Sequence, residues 1–256
     1  DNFVVTPAKD VFEGGPWFFA REVDVTGAPG DLECGNDLAV LHLRESYVGA
    51  PPAAVRVAAP AVKNEIYSAV GYGDDLAGGL GYRHRRDGLK IACVGTECKL
   101  LGSDLAPLAA PDELMGQTGL CGGDSGGPAL DASGVILGVT SRGAPGCTYP
   151  VYSRVDSHAA WLQAQAVQAA SEGNYPIPAW AYATLPSEPD ADAGAADATP
   201  PAFDATPYAA DASPLPGQAL GGCALGARPA GPGGAPFALV LLGLLRFARR
   251  GSKSTP

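Results

Sequence analysis

The sequence predicts an all-β fold that ends in one helix, and three observations support this. Short runs of apolar and β-branched residues recur between clusters of Gly, Pro and Asp, at the spacing typical of β-sandwiches or barrels. The 35 glycines and 24 prolines exceed a fifth of the 256 residues, which favours turns and short strands over long helices. A helical pattern is present at residues 157–170, which are rich in Ala and Gln and carry an apolar stripe.

Five apolar runs in the first 171 residues are predicted to be strands. Each is five or six residues long and is bounded by turn-forming residues. The helix would follow the last of them and close the domain. The predicted strands are residues 38–43, 53–58, 65–70, 135–140 and 151–155.

Charge divides the chain into three segments. Residues 1–171 hold 12 Lys and Arg against 20 Asp and Glu, residues 172–222 hold seven acids and no Lys or Arg, and residues 223–256 hold five Lys and Arg and no acid. We therefore predict a folded domain over 1–171, a disordered Ala/Pro/Asp-rich linker over 172–222, and a separate tail over 223–256. The net charge of −10 argues against nucleic acid as a partner.

The six cysteines favour disulfides over a metal site. They contain no CxxC pair, and the chain has three histidines, whereas tetrahedral zinc needs about four nitrogen or sulfur ligands brought close together. Disulfides are typical of exported proteins. We therefore predict export, and we predict neither a metal nor another cofactor.

The strongest chemical signal is the run Gly-Leu-Cys-Gly-Gly-Asp-Ser-Gly-Gly-Pro at residues 119–128. A serine hydroxyl is a weak nucleophile until it sits beside a base and faces donors that stabilise an oxyanion. Glycines on both sides of Ser125 permit the backbone angles that aim consecutive N–H groups at one point. The pattern therefore indicates Ser125 as a nucleophile, with the N–H groups of Gly123 and Ser125 as oxyanion donors.

This run resembles the signature of the trypsin-like serine proteases, and further matches follow in the family's order. Residues 34–41, Cys-Gly-Asn-Asp-Leu-Ala-Val-Leu, are similar to the family's aspartate motif, and Asp37 lies 88 residues before Ser125, close to the family spacing. Residues 138–143 resemble the strand that pairs with substrate backbone. Residues 151–155 and the following helix resemble the family's closing elements.

The resemblance implies a chymotrypsin-like double β-barrel, with the first barrel N-terminally incomplete, followed by a C-terminal helix. It implies a serine endopeptidase that hydrolyses protein or peptide substrates by Ser-His-Asp acyl-enzyme catalysis. In this scheme Asp37 would be the buried carboxylate that orients the histidine and stabilises its cation.

The resemblance also implies two disulfides. Cys121 and Cys147 would bridge the walls of the specificity pocket, and Cys93 and Cys98, five residues apart, could bridge locally. Cys34 is then left without a partner in the globular part.

The base that this mechanism requires is not expected among the three histidines present. His42 lies five residues beyond Asp37 on the same predicted strand, about 16 Å away at ~3.3 Å per residue. His84 sits in a basic cluster and His158 begins the helix, so all three are expected on the surface, away from the site. The family's histidine motif is expected upstream of Asp1, and the chain as given would then be an inactive fragment.

The predicted specificity pocket differs from that of trypsin. Gly119 holds the position of the trypsin pocket aspartate, so no anion awaits Arg or Lys, and Arg142 replaces a wall tryptophan. Tyr149 and Pro150 stand where the family usually has Pro-Gly, which would make the pocket shallow. We therefore expect cleavage after small or medium apolar side chains. The predicted substrate-binding residues are Gly119, Leu120, Ser141, Arg142, Gly143 and Pro150.

The tail combines Gly-Gly-Cys, which ends at Cys223, with an apolar run at residues 237–245 and a terminal cluster of basic residues. Together these features resemble the C-terminal surface-sorting tails of myxobacterial exported proteins, in which the cysteine is the point of processing or lipid attachment. The alternative is an ordinary membrane anchor with Cys223 incidental. Either way the protein is expected on the cell surface or outer membrane.

Two other functions stay open at this stage. A catalytically inert, protease-like binding module on the cell surface is supported by the missing histidine, but the intact Gly123-Asp124-Ser125 run argues against it. A surface structural protein in which only the tail matters is disfavoured by the number of active-site matches. The oligomeric state is not predicted.

Overall fold

The computed structural model describes residues 3–27, 34–74, 79–99, 108–144 and 146–184. These residues form nine strands, one α-helix and two short 3-10 helices. The strands are β1 (Val4–Val5), β2 (Phe18–Val25), β3 (Ala39–Leu43), β4 (Ile66–Gly71), β5 (His84–Val94), β6 (Glu113–Gly116), β7 (Pro128–Leu130), β8 (Ile136–Ala144) and β9 (Thr148–Arg154). The helix is α1 (Ala159–Gly173), and the 3-10 helices are Gly95–Glu97 and Ala179–Tyr182.

Six strands form a closed antiparallel barrel in the order β4-β5-β6-β9-β8-β7. Large side chains fill its interior, and two of them, Tyr67 and Tyr152, bond to each other through their hydroxyls at 3.0 Å. This bond satisfies both hydroxyls away from water. Burial raises the pKa of Tyr67 to about 12, so its hydroxyl is neutral at physiological pH. Other fully buried side chains in the barrel are Ile91, Leu114 and Leu137.

The first three strands form a separate antiparallel sheet in the order β1-β2-β3. Leu38, immediately before β3, packs against Val155 after β9 and Leu162 on α1. Burial of these three side chains from three elements holds the start of β3 against the barrel and the helix. The sequence prediction of an all-β class with one closing helix is confirmed.

The predicted strands mostly match the observed ones. Residues 38–43, 65–70, 135–140 and 151–155 overlap β3, β4, β8 and β9. The prediction of a strand at 53–58 was wrong, because this segment forms one isolated parallel bridge, from Val55 to Ile136. Prolines at positions 51, 52 and 60 flank it and lack the N–H that a longer ladder needs.

The folded part extends beyond residue 171, where the sequence analysis placed its boundary. Helix α1 ends at Gly173, with Asn174 in the left-handed conformation at φ 50°, and the 3-10 helix Ala179–Tyr182 then packs back on α1. The amide of Gln163 donates to the carbonyl of Ala183 at 2.9 Å, and Trp180 packs against the cluster around Leu38. The linker prediction is therefore wrong for residues 172–184, because Trp180 has an apolar surface to cover.

The remainder of the predicted linker, 185–222, and the tail, 223–256, lie outside the described residues. Across the part of the chain that the structure describes, no helix has the length and apolarity to span a membrane.

Candidate active site

Ser125 lies in the loop between β6 and β7, and glycines allow this loop to pack tightly. Gly123 has φ +98°, and a Cβ there would lie 3.0 Å from the Cα of Gly73. A Cβ at Gly127 would lie 2.3 Å from the carbonyl oxygen of Val70. Larger residues would therefore push the loop off the end of β4.

The carboxylate of Asp124 fixes the same loop from inside. Its side chain is buried and accepts hydrogen bonds from the N–H groups of Gly73, at 2.8 Å, and Cys121, at 2.9 Å. A Cβ at Gly71 would lie 2.0 Å from the carboxylate, so the glycines after β4 make room for it. Hydrogen bonds to a charged acceptor are stronger than neutral ones, and these two tie the Ser125 loop to Cys121 and to the segment after β4.

Both disulfides expected from the sequence are present. The Cys121–Cys147 bond joins the Ser125 loop to the turn between β8 and β9, and the Cys93–Cys98 bond closes a short loop after β5. Cys34 is disulfide-bonded as well.

Ser141 on β8 connects Ser125 to Asp37. The hydroxyl of Ser125 donates to the carbonyl oxygen of Ser141 at 3.3 Å, and the hydroxyl of Ser141 donates to a carboxylate oxygen of Asp37 at 2.7 Å. The hydroxyl of Ser153, on β9, donates to the Asp37 carbonyl at 2.8 Å. The fold therefore brings together two residues that are 88 positions apart in the sequence.

The expectation that Asp37 is buried was wrong, because the residue is exposed. Among the described residues the carboxylate accepts one hydrogen bond, from Ser141 on β8, whereas Ser153 on β9 binds the main-chain carbonyl, so the carboxylate remains open to solvent. The family resemblance predicts Ser141 as a substrate-binding residue. Its bond to Asp37 has no sequence signal, because residue spacing does not show which hydroxyl faces the carboxylate.

The three histidines take no part in this network. His42 was expected on the surface but is 4% exposed, because β3 carries it under α1, where its Nε2 lies 2.9 Å from Gln165 Oε1 and 3.1 Å from Asp24 Oδ2. His84 is exposed on β5, and His158 binds the carbonyl of Arg154 at the start of α1. No cluster of three potential metal ligands is found among the described residues.

A cavity of about 460 Å³ opens beside Ser125. Three of the predicted substrate-binding residues, Leu120, Arg142 and Gly143, line it, together with Asp74, which the sequence analysis missed. The other three do not line this cavity: Ser141 faces Asp37, Pro150 is fully buried, and a Cβ at Gly119 would point at Leu89, 2.9 Å away.

The guanidinium of Arg142 is not directed only at the cavity. It binds both carboxylate oxygens of Glu113, at 2.6 and 2.8 Å, and Glu113 has no exposed surface. Burial opposes ionisation of this acid, but the ion pair with Arg142, together with bonds from the N–H groups of Ala110 and Gly35, holds the pKa of Glu113 below its ordinary value. No sequence signal distinguishes this glutamate, which follows Asp112 and precedes two apolar residues.

Comparisons with known proteins place the chain in a family through one sequence-model match. The sequence model of the family described as Trypsin matches residues 20–162. A solved structure of a mutant of human heparin binding protein is similar to the chain, with 17% identity, a TM-score of 0.49, and coverage of 67% of this chain and 75% of that one. No match is found among the curated proteins. Because the family match spans more than half of the chain and includes both Asp37 and Ser125, the protein belongs to the trypsin family and has a chymotrypsin-like fold.

Proposed function

We propose that the protein is a serine endopeptidase in which Ser125 is the nucleophile and Asp37 orients the general base. The observation that carries the proposal is the network through Ser141, which joins the Ser125 hydroxyl and the Asp37 carboxylate. A base placed beside Ser125 and also bonded to Asp37 would complete the arrangement needed to activate a serine.

The base in this proposal is a histidine from polypeptide upstream of Asp1. It would take the proton from Ser125 as the hydroxyl attacks the peptide carbonyl, and would then give that proton to the leaving amine. Water would then attack the acyl-enzyme. The histidine would take a proton from the water and give it to the Ser125 oxygen as that oxygen leaves. The N–H groups of Gly123 and Ser125, which have no hydrogen-bond partner among the described residues, would donate to the oxyanion.

The cavity beside Ser125 supports a preference for small or medium apolar side chains before the scissile bond. Leu80, Leu120 and Ala144 give it apolar walls. Arg142 offers little net charge because Glu113 neutralises it. Asp74, at the exposed side, is the acid that could favour a basic side chain instead.

A second candidate is a catalytically inert protease-like binding module. It is favoured by one observation, which is that none of the three histidines in the sequence lies in the Ser125 and Asp37 network. The two candidates differ in one measurable property, the reactivity of the Ser125 hydroxyl.

The test is labelling by a fluorophosphonate probe, which reacts with activated serines. The full-length protein with its upstream histidine should label at Ser125 and hydrolyse peptides, and Ser125→Ala should lose both properties. Ser133→Ala, an exposed serine in the turn between β7 and β8, is the matched control and should keep both. Retained peptide hydrolysis in Ser125→Ala would refute the assignment, and absence of labelling in the unmodified protein would favour the binding module.

We also propose that the protein is exported and held at the cell surface by its tail. Two disulfides in the barrel support export, because such bonds persist outside the reducing cytosol. The apolar run and basic cluster after Cys223 support anchoring, and the acidic residues between 185 and 222 support a self-repelling spacer.

Cell fractionation of three proteins tests the tail: the full-length protein, a version truncated after Leu220, and Cys223→Ser. Truncation should release the protein from the cell, and continued association would contradict the anchor. If truncation releases it but Cys223→Ser does not, the tail is a plain membrane anchor rather than a processed sorting signal.

A further inference from the structure

Glu113 is a fully buried carboxylate to which the mechanism above gives no role. It is the first residue of β6 and has no solvent-exposed surface. A buried charge is costly unless partners compensate it, so its presence in the barrel wall requires explanation.

The partners of Glu113 come from three separate segments. The N–H of Gly35, two residues before Asp37, donates to Oε1 at 3.1 Å, and the N–H of Ala110 donates to Oε2 at 2.7 Å. The guanidinium of Arg142, on β8, binds both oxygens, at 2.6 and 2.8 Å. One side chain therefore joins the loop before β3, the loop before β6, and β8.

One of these segments carries Asp37 itself, and another carries Ser141, the donor to its carboxylate. Gly35 is on the short loop that leads into Asp37, and Arg142 is next to Ser141, whose hydroxyl binds the Asp37 carboxylate. The Arg142 guanidinium also lies 3.4 Å from the Ser141 hydroxyl oxygen. A shift of either segment would change the distance between Ser141 and Asp37.

We propose that Glu113 is a positioning residue, which holds Asp37 and Ser141 in register through Gly35 and Arg142. The inference rests on the function proposed above, because it concerns the geometry of that site. It assigns Arg142 to the support of Ser141 as well as to the cavity wall. An exposed carboxylate such as Asp37 needs this support, because Ser141 is its one hydrogen-bond donor among the described residues.

The first test measures amide hydrogen exchange in the full-length protein and in Glu113→Gln, and it does not depend on activity. The amides of Gly35 and Ala110 should exchange roughly 10- to 100-fold faster in the variant, since each loses a bond to a charged acceptor. The amides of Gly73 and Cys121, which bind Asp124, should be unchanged. Unchanged exchange at Gly35 would overturn the proposal.

The second test compares kinetics with a matched ion pair elsewhere on the barrel. Arg56 and Glu65 also form a two-bond pair, but they bind none of the residues of the Ser125 network. Glu113→Gln should lower kcat/KM about 100-fold, as small misplacements in active sites do. It should also move the acid limb of the pH profile to lower pH, because a histidine less well aligned with Asp37 has a lower pKa. Glu65→Gln should leave that limb in place.

The double variant Glu113→Met with Arg142→Met separates positioning from stability. Replacing a buried ion pair by apolar side chains of similar size often preserves or increases stability. Part of the stability lost in Glu113→Gln should then return, although the N–H groups of Gly35 and Ala110 still lack an acceptor, while kcat/KM stays low. Recovery of kcat/KM together with stability would show that Glu113 is merely structural. If Ser125→Ala keeps full turnover, the proposed function fails, whereas the exchange at Gly35 still decides whether Glu113 fixes this loop.

Discussion

The barrel and the segment that leads into the three-stranded sheet each contribute one residue of the candidate site, and they hold it in different ways. Ser125 lies in a loop that the barrel fixes with a disulfide and with the buried carboxylate of Asp124. Asp37 stands before the first residue of β3 with an exposed side chain. The sheet itself also leaves large apolar side chains in solvent, such as Phe19 and Val25.

The contacts of the two residues show that the barrel positions both Ser125 and Asp37. The hydrogen bonds that hold Asp37 come from Ser141 and Ser153, and its preceding loop is held by Glu113, all of them barrel residues. The sheet therefore supplies the carboxylate, whereas the barrel sets where it lies. Substitutions in the barrel should affect Asp37 more than substitutions in the sheet.

The largest effect is expected where the comparison is most direct, at the two reactive side chains themselves. Asp37→Asn in the full-length protein should lower kcat about 10⁴-fold, because the base loses the carboxylate that sets its orientation and tautomer. Ser125→Ala should lower it at least as much. Thermal unfolding should stay unchanged for Asp37→Asn, whose side chain is exposed. If Asp37→Asn lowers kcat by less than tenfold, another group orients the base.

The next largest effect is on stability, at the buried pair of the barrel. Because the pKa of Glu113 is lowered by folding, its ionised form stabilises the protein above its ordinary pKa of 4.5, and this stabilisation is lost as the pH falls through the lower, folded-state pKa. Removing one partner of a buried pair costs about 3–5 kcal/mol.

Glu113→Gln should therefore be less stable than the unmodified protein at pH 7, with the gap in unfolding free energy narrowing as the pH falls below 4.5. Denaturant unfolding at several pH values measures this gap. A gap that is independent of pH would mean that shape rather than charge makes Glu113 important. The exposed pair of Arg85 and Asp87 offers a control, since Asp87→Asn should change stability little.

Sequence reasoning predicted the barrel side of the site better than the sheet side. The Ser125 loop is a local pattern, in which glycines, the buried Asp124 and a cysteine follow one another, so its neighbours in space are also its neighbours in sequence. The all-β class, the helix and two disulfides follow from similar local patterns and from the family resemblance. The loop that carries Asp37 depends on distant residues, and its exposure was not predicted.

The residues that sequence reasoning missed share one physical property. Glu113 and the buried His42 are bound by side chains that reach them from β8 or from α1, and Asp74 lines a cavity whose other walls are distant in sequence. A glutamate that follows an aspartate at the edge of a short apolar run has no period or motif that would distinguish it from a surface residue. Arg142 reaches Glu113 because β6 and β8 both pair with β9 in the barrel.

A smaller effect is expected in the choice of substrate. Peptides with Ala, Val or Leu before the scissile bond should exceed Arg or Lys peptides by about 100-fold in kcat/KM, because a cation that enters an apolar pocket without a partner loses its hydration. Profiling with a peptide library measures this preference. Dominant cleavage after Arg that disappears in Asp74→Asn would instead identify Asp74 as the acid that binds the substrate.

The smallest effect is expected at Ser141, and it tests how the barrel holds the carboxylate of the sheet. Ser141→Ala removes the hydroxyl that binds Asp37 at 2.7 Å but keeps the carbonyl that accepts from Ser125. A bond to a charged group contributes enough for a loss of roughly 10- to 100-fold in kcat. Because Asp37 is exposed, water can replace part of this bond, and the lower end of the range is expected. Ser153→Ala is the comparison variant: it removes a fully buried hydroxyl and leaves the Asp37 carbonyl without its donor, so it should lower stability more than Ser141→Ala does. Unchanged kcat in Ser141→Ala would mean that solvent positions Asp37 as well as the barrel does.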